Sequence, residues 1–533
     1  MTGLAGTGSL VRLALRRDRV MLAVWILIFI VTAAGSASAT VGLYGTPESR
    51  MQAAASINNS PSLVALYGLI YDESSVGALS MIKLGAFGGA LVAVFAILLM
   101  IRHTRAEEEA GRLELVGSAV VGRHAPLAAA LIVTAGANLA LGLLTALGLI
   151  GSGLPASGSF AFGLAWASVG IAFAAVAAVV AQVTESARAA TGMAMAVLGV
   201  AYVFRAVGDT AADRGAGWLR WLSPIGWGQQ VRPYQGDRWW VLLLPAAFFV
   251  VVTAAAYALV ERRDHGAGLL PDRPGPATAG RSLGGPFGLA WRLHRGALFG
   301  WAAGFVLLGL VFGNVASNVG DFLDSPGARD LIQKLGGVQG LTDAFMSTEL
   351  GMIGVIASAY GVQVVMRLRS EESELRAEPV LATRVGRLSW AWSHLAIALL
   401  GTTILLIGAG LGAGLTYAAQ TGHNGDFWRV LTAALVRLPA AWVIAGIAMA
   451  AFGLAPRAVI AGWAALVAFL LLGEFGPLFE LDQWVMNVSP YAHVPRLPGG
   501  DLSATPLVWL AAVAAVLIAA GLTGFRRRDI PVT

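Results

Sequence analysis

The sequence predicts an all-α polytopic membrane protein with 12 transmembrane helices, arranged as two tandem, parallel six-helix repeats. Three observations predict it. The chain of 533 residues is 57% hydrophobic and only 12% charged, a balance that a soluble protein of this size does not have. Apolar stretches long enough to cross a bilayer recur along its whole length. Landmarks of the first half return in the second at a nearly constant offset.

In chain order the spans are 20–42, 81–101, 127–150, 160–183, 190–208, 240–260, 297–316, 350–366, 390–416, 430–453, 458–475 and 506–525. The first follows Arg16, Arg17 and Arg19 and contains Ala37-Ser-Ala39, which resembles a signal-peptidase site. The run from Val20 to Val41 is too long for a signal core. Arg19 and Trp25 are also matched 276 residues later by Arg295 and Trp301, so this segment reads as a retained helix. Within Leu10–Arg19, Arg12, Arg16 and Arg19 share one helical face, with Leu10 and Leu13 nearer the other. That pattern suits an interfacial helix or ordinary basic flanking of a span. Arg292 and Arg295 hold the equivalent place before span seven.

An even number of spans puts both termini on one side. With them inside, the cytoplasmic segments carry 24 Lys/Arg and the external segments eight, as the positive-inside rule expects. The same arginines account for a pI of 9.9 without nucleic acid as a partner. Arginine outnumbers lysine 34 to 2, which points to a GC-rich bacterial genome. The expected location is therefore the bacterial plasma membrane, multi-pass, with both termini cytoplasmic.

The second span is followed by Arg105, Glu107, Glu108, Arg112 and Glu114, then Val121-Gly122-Arg123. The same pattern returns 264 residues later as Arg369, Glu371, Glu372, Arg376 and Glu378, then Val385-Gly386-Arg387. Ser223-Pro224 before span six returns as Ser489-Pro490 before span twelve, and Arg262-Arg263-Asp264 returns as Arg527-Arg528-Asp529. The halves are 1–264 and 289–533, joined by a linker rich in Gly and Pro at 265–288. Repeats of six spans point the same way, related by an axis along the membrane normal. In the first acidic segment Ala106, Ala110, Leu113 and Val116 are spaced for one face of a short amphipathic helix. A solvated charged loop is the plainer alternative for one copy; two copies in register favour the helix. Carboxylates gain little from an anionic leaflet, so a basic or dipolar protein surface is the expected partner.

A basic segment before span one, an acidic helix after span two and a long external segment before span six together resemble ABC-2-type exporter permeases. The run Glu107-Glu108…Arg112-Leu-Glu114-Leu…Val121-Gly-Arg123 is similar to fused 12-span actinobacterial polyketide-antibiotic (tetronasin-type) exporters. The resemblance covers essentially the whole chain. It implies that Arg105, Glu107, Glu108, Arg112 and Glu114, with Arg369, Glu371, Glu372, Arg376 and Glu378, couple to an ATPase. It also implies two copies of a separate P-loop subunit that bind ATP and Mg, and whose closure tilts the halves between inward- and outward-facing states. The second copy departs from the pattern: Gly111 becomes Leu375 and Leu115 becomes Pro379. A proline there is expected to end or kink the helix.

The chain itself carries no P-loop: its lysines are Lys83 and Lys334 alone, and neither follows the phosphate-binding pattern. It is therefore not expected to be an enzyme or to hold a cofactor. Cysteine is absent, which excludes disulfides, thiolate metal sites and catalytic thiols, and the seven His show no metal-binding spacing.

Other side chains read as path or gate. The external stretch 218–240 holds Trp218, Trp221, Trp227, Trp239 and Trp240, five of the 16 tryptophans. Its counterpart, 482–500, holds Trp484, Tyr491 and His493. Short helices or a re-entrant hairpin with an aromatic belt explain both. The resemblance favours an external gate formed by Trp218, Trp221, Trp227, Trp484 and Tyr491. Arg437 in span ten and Glu474 near the outer end of span eleven are charges that pair with each other or line a pathway. Asn138 in span three is an interhelical hydrogen-bonder or a pathway residue. Lys83 and Arg205 lie nearer interfaces, where they can snorkel.

The function expected is that of a permease subunit exporting hydrophobic or amphipathic small molecules, antibiotics among them, with membrane lipid around it. An ion-coupled secondary drug transporter is the alternative. It requires titratable groups deep in the membrane, and only a shallow Glu474 qualifies. A membrane-embedded transferase needs an acidic or His-rich external loop, and the external loops are short with scattered charge.

Overall fold

The computed structural model describes residues 3–112, 120–263, 267–270, 277–278, 280, 283–317, 337–458, 460–475 and 482–529. Every regular element among them is helical. Among the described residues, eleven helices are long and apolar enough to cross a membrane, and they coincide with eleven of the expected spans. The remaining expected span, 458–475, holds helix Ala461–Phe475, of which 15 residues are described. A 3₁₀ turn at Pro456–Ala458 precedes it, since proline cannot continue the preceding helix Leu438–Leu454.

Helix starts follow from local chemistry. Ser75, Ser186 and Ser223 each accept a hydrogen bond from an N–H of the first turn, at Ala78, Ala189 and Gly226. Proline occupies a first-turn position, where no N–H is needed, at Pro47, Pro126 and Pro224. The N-terminal basic segment is no separate interfacial helix. It is the opening of one continuous helix, Thr7–Leu43, with no break between the basic segment and the first span. Asp18 on this helix is 1% exposed and meets Arg102 at 2.9 Å and His103 at 2.8 Å.

The chain divides into two compact units, Met1–Pro274 and Gly275–Thr533. In the first, helix Ala156–Val183 is central. Its most apolar stretch is 78% buried, against 17% for Trp239–Glu261 and 22% for Thr7–Leu43. Leu27, Ile28, Val31, Val250 and Val251 on the outer helices remain exposed, as lipid-facing residues do. Helix Ala125–Gly151 crosses the central helix where Gly142 and Gly163 meet so closely that a Cβ on either would overlap the other's carbonyl oxygen. Without a hydrophobic force between helices in lipid, such close backbone contact supplies the adhesion. Trp166 is buried beside this contact, its indole N–H donating to the Leu84 carbonyl at 3.0 Å.

Arg205 does not snorkel. It is fully buried and donates to the carbonyls of Ala65 at 2.7 Å and Leu66 at 3.1 Å, closing the end of helix Pro61–Tyr67. Asp209, one turn on, balances its charge at 3.6 Å.

In the second unit, helix Pro286–Ser317 packs along Arg387–Thr421 through Gly309, Gly313 and Gly412. Helix Leu438–Leu454 packs on Ala504–Arg527 through Gly453 and Gly521. Span ten is broken: Asn424–Leu435 and Leu438–Leu454 are separate helices that meet at Val436 and Arg437.

Candidate functional site: two anchored acidic segments and a cleft

Helix Val76–His103 breaks at Thr104, and the single turn Arg105–Glu109 follows. Its three consecutive carboxylates point to three different sets of partners. Glu107 accepts from Arg17 at 2.6 Å and from Arg112 at 2.7 Å. Glu108 accepts from Arg105 at 2.9 Å and from Arg263 at 2.6 Å. Glu109 accepts from the backbone N–H of Ala187 at 2.8 Å, a favourable charge at a helix start. This turn therefore ties the ends of helices Val76–His103, Ala187–Thr210 and Leu243–Glu261 to Arg17, three turns into helix Thr7–Leu43. Arg123 completes the tie, donating to the carbonyls of Val260 and Arg263 at 2.8 Å each. Glu114 lies outside the described residues.

The second segment repeats part of this wiring. Glu371 accepts from Arg367 at 2.9 Å and Arg376 at 3.0 Å. Glu372, 3% exposed, accepts from Arg528 at 2.6 Å and Arg369 at 3.3 Å. Arg387 donates to the Arg528 carbonyl at 2.8 Å, as Arg123 does to that of Arg263. The position matching Glu109 is Ser373, whose hydroxyl donates to the Ser370 carbonyl within the same helix. The second segment thus joins fewer helix ends than the first.

The two departures from the first copy take specific forms. Gly111 and Leu375 both adopt the left-handed conformation, with φ of 69° and 56°. The turn is the same, but a leucine there carries strain of about 1–2 kcal/mol. Leu375→Gly is accordingly expected to raise the stability of the second unit by about 1 kcal/mol. An unchanged or lower thermal unfolding midpoint would contradict this. Pro379 neither ends nor kinks a helix. It sits in the first turn of Ala377–Leu381, where its missing N–H has no intrahelical carbonyl to lose.

Burial pushes the Glu107 carboxyl up, but hydrogen bonds from Arg112 and Arg17 outweigh it and hold the group below its ordinary value of 4.5. Glu371 is lowered in the same way, with burial opposed by Arg376 and Arg367. For carboxylates lowered by folding, the stabilisation is full above the unfolded value and is lost as pH falls through the folded one. Protease resistance of both segments is expected to stay flat from about pH 8 down to about pH 5 and to fall only in stronger acid. Loss of protection near neutral pH would contradict the anchoring.

The aromatic candidates separate by environment. Trp218 and Trp484 are exposed, by 61% and 71%. Trp227 donates its indole N–H to the Trp221 carbonyl at 2.6 Å and meets Phe248 edge-on, while Trp221 stacks on Trp240. Helix Pro224–Gln230 folds back into the unit, with Ile225 only 1% exposed. In the second unit, the Tyr491 hydroxyl reaches Ser358, midway along helix Gly337–Ser373. Both Ser-Pro segments are re-entrant in this sense.

Asn138 is buried, donating to the Thr134 carbonyl at 2.8 Å and pressed against Gly170. It packs two helices together. Arg437, 3% exposed, donates to the carbonyls of Ala433, Ser347 and Leu497. No carboxylate among the described residues pairs with it, and the Glu474 side chain lies outside them. Arg437 borders an open cleft of about 710 Å³, shared with Asp343, Ser347, Met352, Phe469, Tyr491 and Arg496. Sequence reading missed Asp343 and Arg496. Asp343 lies outside every expected span yet is nearly buried, held by Arg429 at 2.8 Å. Only the fold brings positions 343, 437 and 496 together.

Comparison with known proteins meets this architecture. Residues 283–526 match the family described as the C-terminal domain of the multidrug efflux system permease Rv1217c. The chain is 47% identical over 532 residues to the multidrug efflux system permease protein Rv1217c of Mycobacterium tuberculosis, an alignment covering 99% of this chain and 96% of that protein. With that identity along its whole length, and with membrane-crossing helices throughout, the chain belongs to the family of multidrug efflux system permeases.

Proposed function

We propose that this protein is the transmembrane permease subunit of an ATP-driven ABC exporter that moves hydrophobic or amphipathic compounds, drugs among them, out of the cell. The observation that carries this reading is the turn Arg105–Glu109, which ties four helices together at one point. Force applied there reaches several spans at once, as an exporter driven from the cytosol requires. ATP and Mg belong to a separate P-loop subunit, in two copies, one under each acidic segment. The 12 spans form two parallel halves, with both termini on the cytoplasmic face of the bacterial plasma membrane. The likeness to tetronasin-type exporters favours polyketide-like cargo.

The buried carboxylates hold each segment in place, so the surface offered to the ATPase is the exposed remainder: Glu109 and Arg112 in the first unit, Glu374, Arg376 and Glu378 in the second. The test is purification of the tagged protein from its native membrane in mild detergent, followed by mass spectrometry and an ATPase assay. A P-loop ATPase is expected to co-purify, and to be lost from the combined Arg112→Gln and Glu378→Arg variant, whose unfolding midpoint should fall only slightly, since Arg112 is exposed at Glu107. A chain that purifies alone, without ATPase activity, would move the assignment to an ion-coupled transporter.

A further inference from the structure

The cleft of the second unit differs from the matching region of the first. In the first unit, Tyr234 follows the Ser223-Pro224 segment and fills the space between helices Val76–His103 and Ala156–Val183. Its ring lies against Gly77 and Gly158, and its hydroxyl meets Ser159 at 2.9 Å. In the second unit, the corresponding place after Ser489-Pro490 holds Gly499 and Gly500. No side chain can fill the gap from there, and the cleft of about 710 Å³ opens beside both glycines. Helix Ala156–Val183 contains no charged residue, whereas its later counterpart is broken at Arg437.

The lining of this cleft is chemically divided. Met352, Val355, Phe469 and Leu470 form an apolar wall. Arg437 and Arg496 supply positive charge, while Asp343 is already engaged by Arg429. The carbonyls around Arg437 satisfy its N–H groups as hydrogen-bond acceptors but bring no negative charge to a guanidinium that is nine-tenths buried. No carboxylate among the described residues serves as its counter-ion; a buried cation lacking one is costly, and an anionic ligand entering the cleft removes that cost. From these observations we propose that the cleft binds an amphiphile with an anionic head, a carboxylate or a phosphate ester, held by Arg437 and Arg496 with its tail along the apolar wall. This deepens the export reading, since it assigns a class of cargo to one place in the second unit. The head could belong to a free compound or to a membrane phospholipid.

The test uses the full chain in nanodiscs of zwitterionic lipid, with dodecanoate and dodecyltrimethylammonium as probes and direct binding as the readout. Dodecanoate is expected to bind and the cation not. Arg437→Gln is expected to weaken dodecanoate at least tenfold, and Arg437→Lys to restore part of it. Two further variants guard against a folding defect. Arg496 is exposed, so Arg496→Gln leaves the fold intact and is expected to weaken binding severalfold. Gly351 borders the cleft with open space around it, so Gly351→Trp is expected to block binding sterically. Equal binding of the two probes, or dodecanoate affinity unchanged in Arg496→Gln and Gly351→Trp, would overturn the proposal. Repeating the titration with phosphatidylglycerol in the disc separates the sources: competition identifies a lipid headgroup, and its absence a free amphiphile. Binding is read without the ATPase. Loss of dodecanoate binding with intact ATP-driven efflux of a cationic dye sinks only this inference, whereas binding without an ATPase partner sinks only the exporter reading.

Discussion

Glu108→Ala is expected to destabilise the first unit by about 3–5 kcal/mol, the cost of removing one member of a buried ion pair. The Glu108 side chain is 6% exposed, and its two arginines, Arg105 and Arg263, are 1% and 11% exposed. The substitution takes this carboxylate from both guanidiniums while leaving them in a low-dielectric setting. It also frees the end of helix Leu243–Glu261, which Arg263 follows. Thermal unfolding of the purified full-length protein measures the effect. Arg112→Ala is the internal comparison: Arg112 is 56% exposed at Glu107, and its loss is expected to cost less than about 1 kcal/mol. Similar midpoints for the two variants would mean that the Glu108 cluster does not hold the unit together. Replacing Glu108 and Arg263 together by apolar residues is expected to recover part of the loss, because the desolvation cost of Arg263 disappears with its charge.

The second large effect is expected at the crossing of helices Leu438–Leu454 and Ala504–Arg527. A Cβ on Gly453 would overlap the Gly521 carbonyl, and one on Gly521 the Met449 carbonyl. Both obstacles are helix backbone, which cannot rotate away as a side chain can. Gly521→Val therefore has to push the last helix outward, losing the close contact that holds helices together in lipid. Overpacking of this kind costs about 1–3 kcal/mol, or more where the backbone has to move. The displacement also carries Arg528 away from Glu372, a contact of 2.6 Å at the end of the same helix. A lower unfolding midpoint with new protease sensitivity around 371–378 is the expected result. A variant that unfolds at the wild-type temperature would show that the crossing is looser than described. Gly351→Ala, at a glycine with open space around it, is the matched control and is expected to be silent.

How much of this was legible in the sequence differs by feature. The spans were legible because a bilayer sets a length and a polarity that every crossing helix has to meet. Eleven of them stand where hydropathy places them, and 458–475 holds a further apolar helix, Ala461–Phe475. The importance of the acidic segments was also legible, since their register recurs across 264 residues. Their orientation was not. Glu107, Glu108, Glu371 and Glu372 read as outward handles, yet their carboxylates meet arginines from their own unit. Arg17, Arg263 and Arg528 look like ordinary positive-inside flanking, and nothing in their spacing names a partner 90 or 156 residues away.

The sequence alone determined that this chain is a polytopic membrane protein built from apolar helices, without a P-loop or a thiol of its own. Those properties depend on composition and local pattern, which survive without knowledge of contacts. Tertiary structure alone decided which charges are met by a carboxylate and which, among the described residues, are not. Arg205 and Arg437 are both single arginines in apolar runs. One has Asp209 beside it, while the other is met among the described residues by carbonyls, at the edge of a cleft that two glycines leave open. The energy of a buried charge depends on what lies within a few ångströms of it, and distant parts of the chain supply those neighbours.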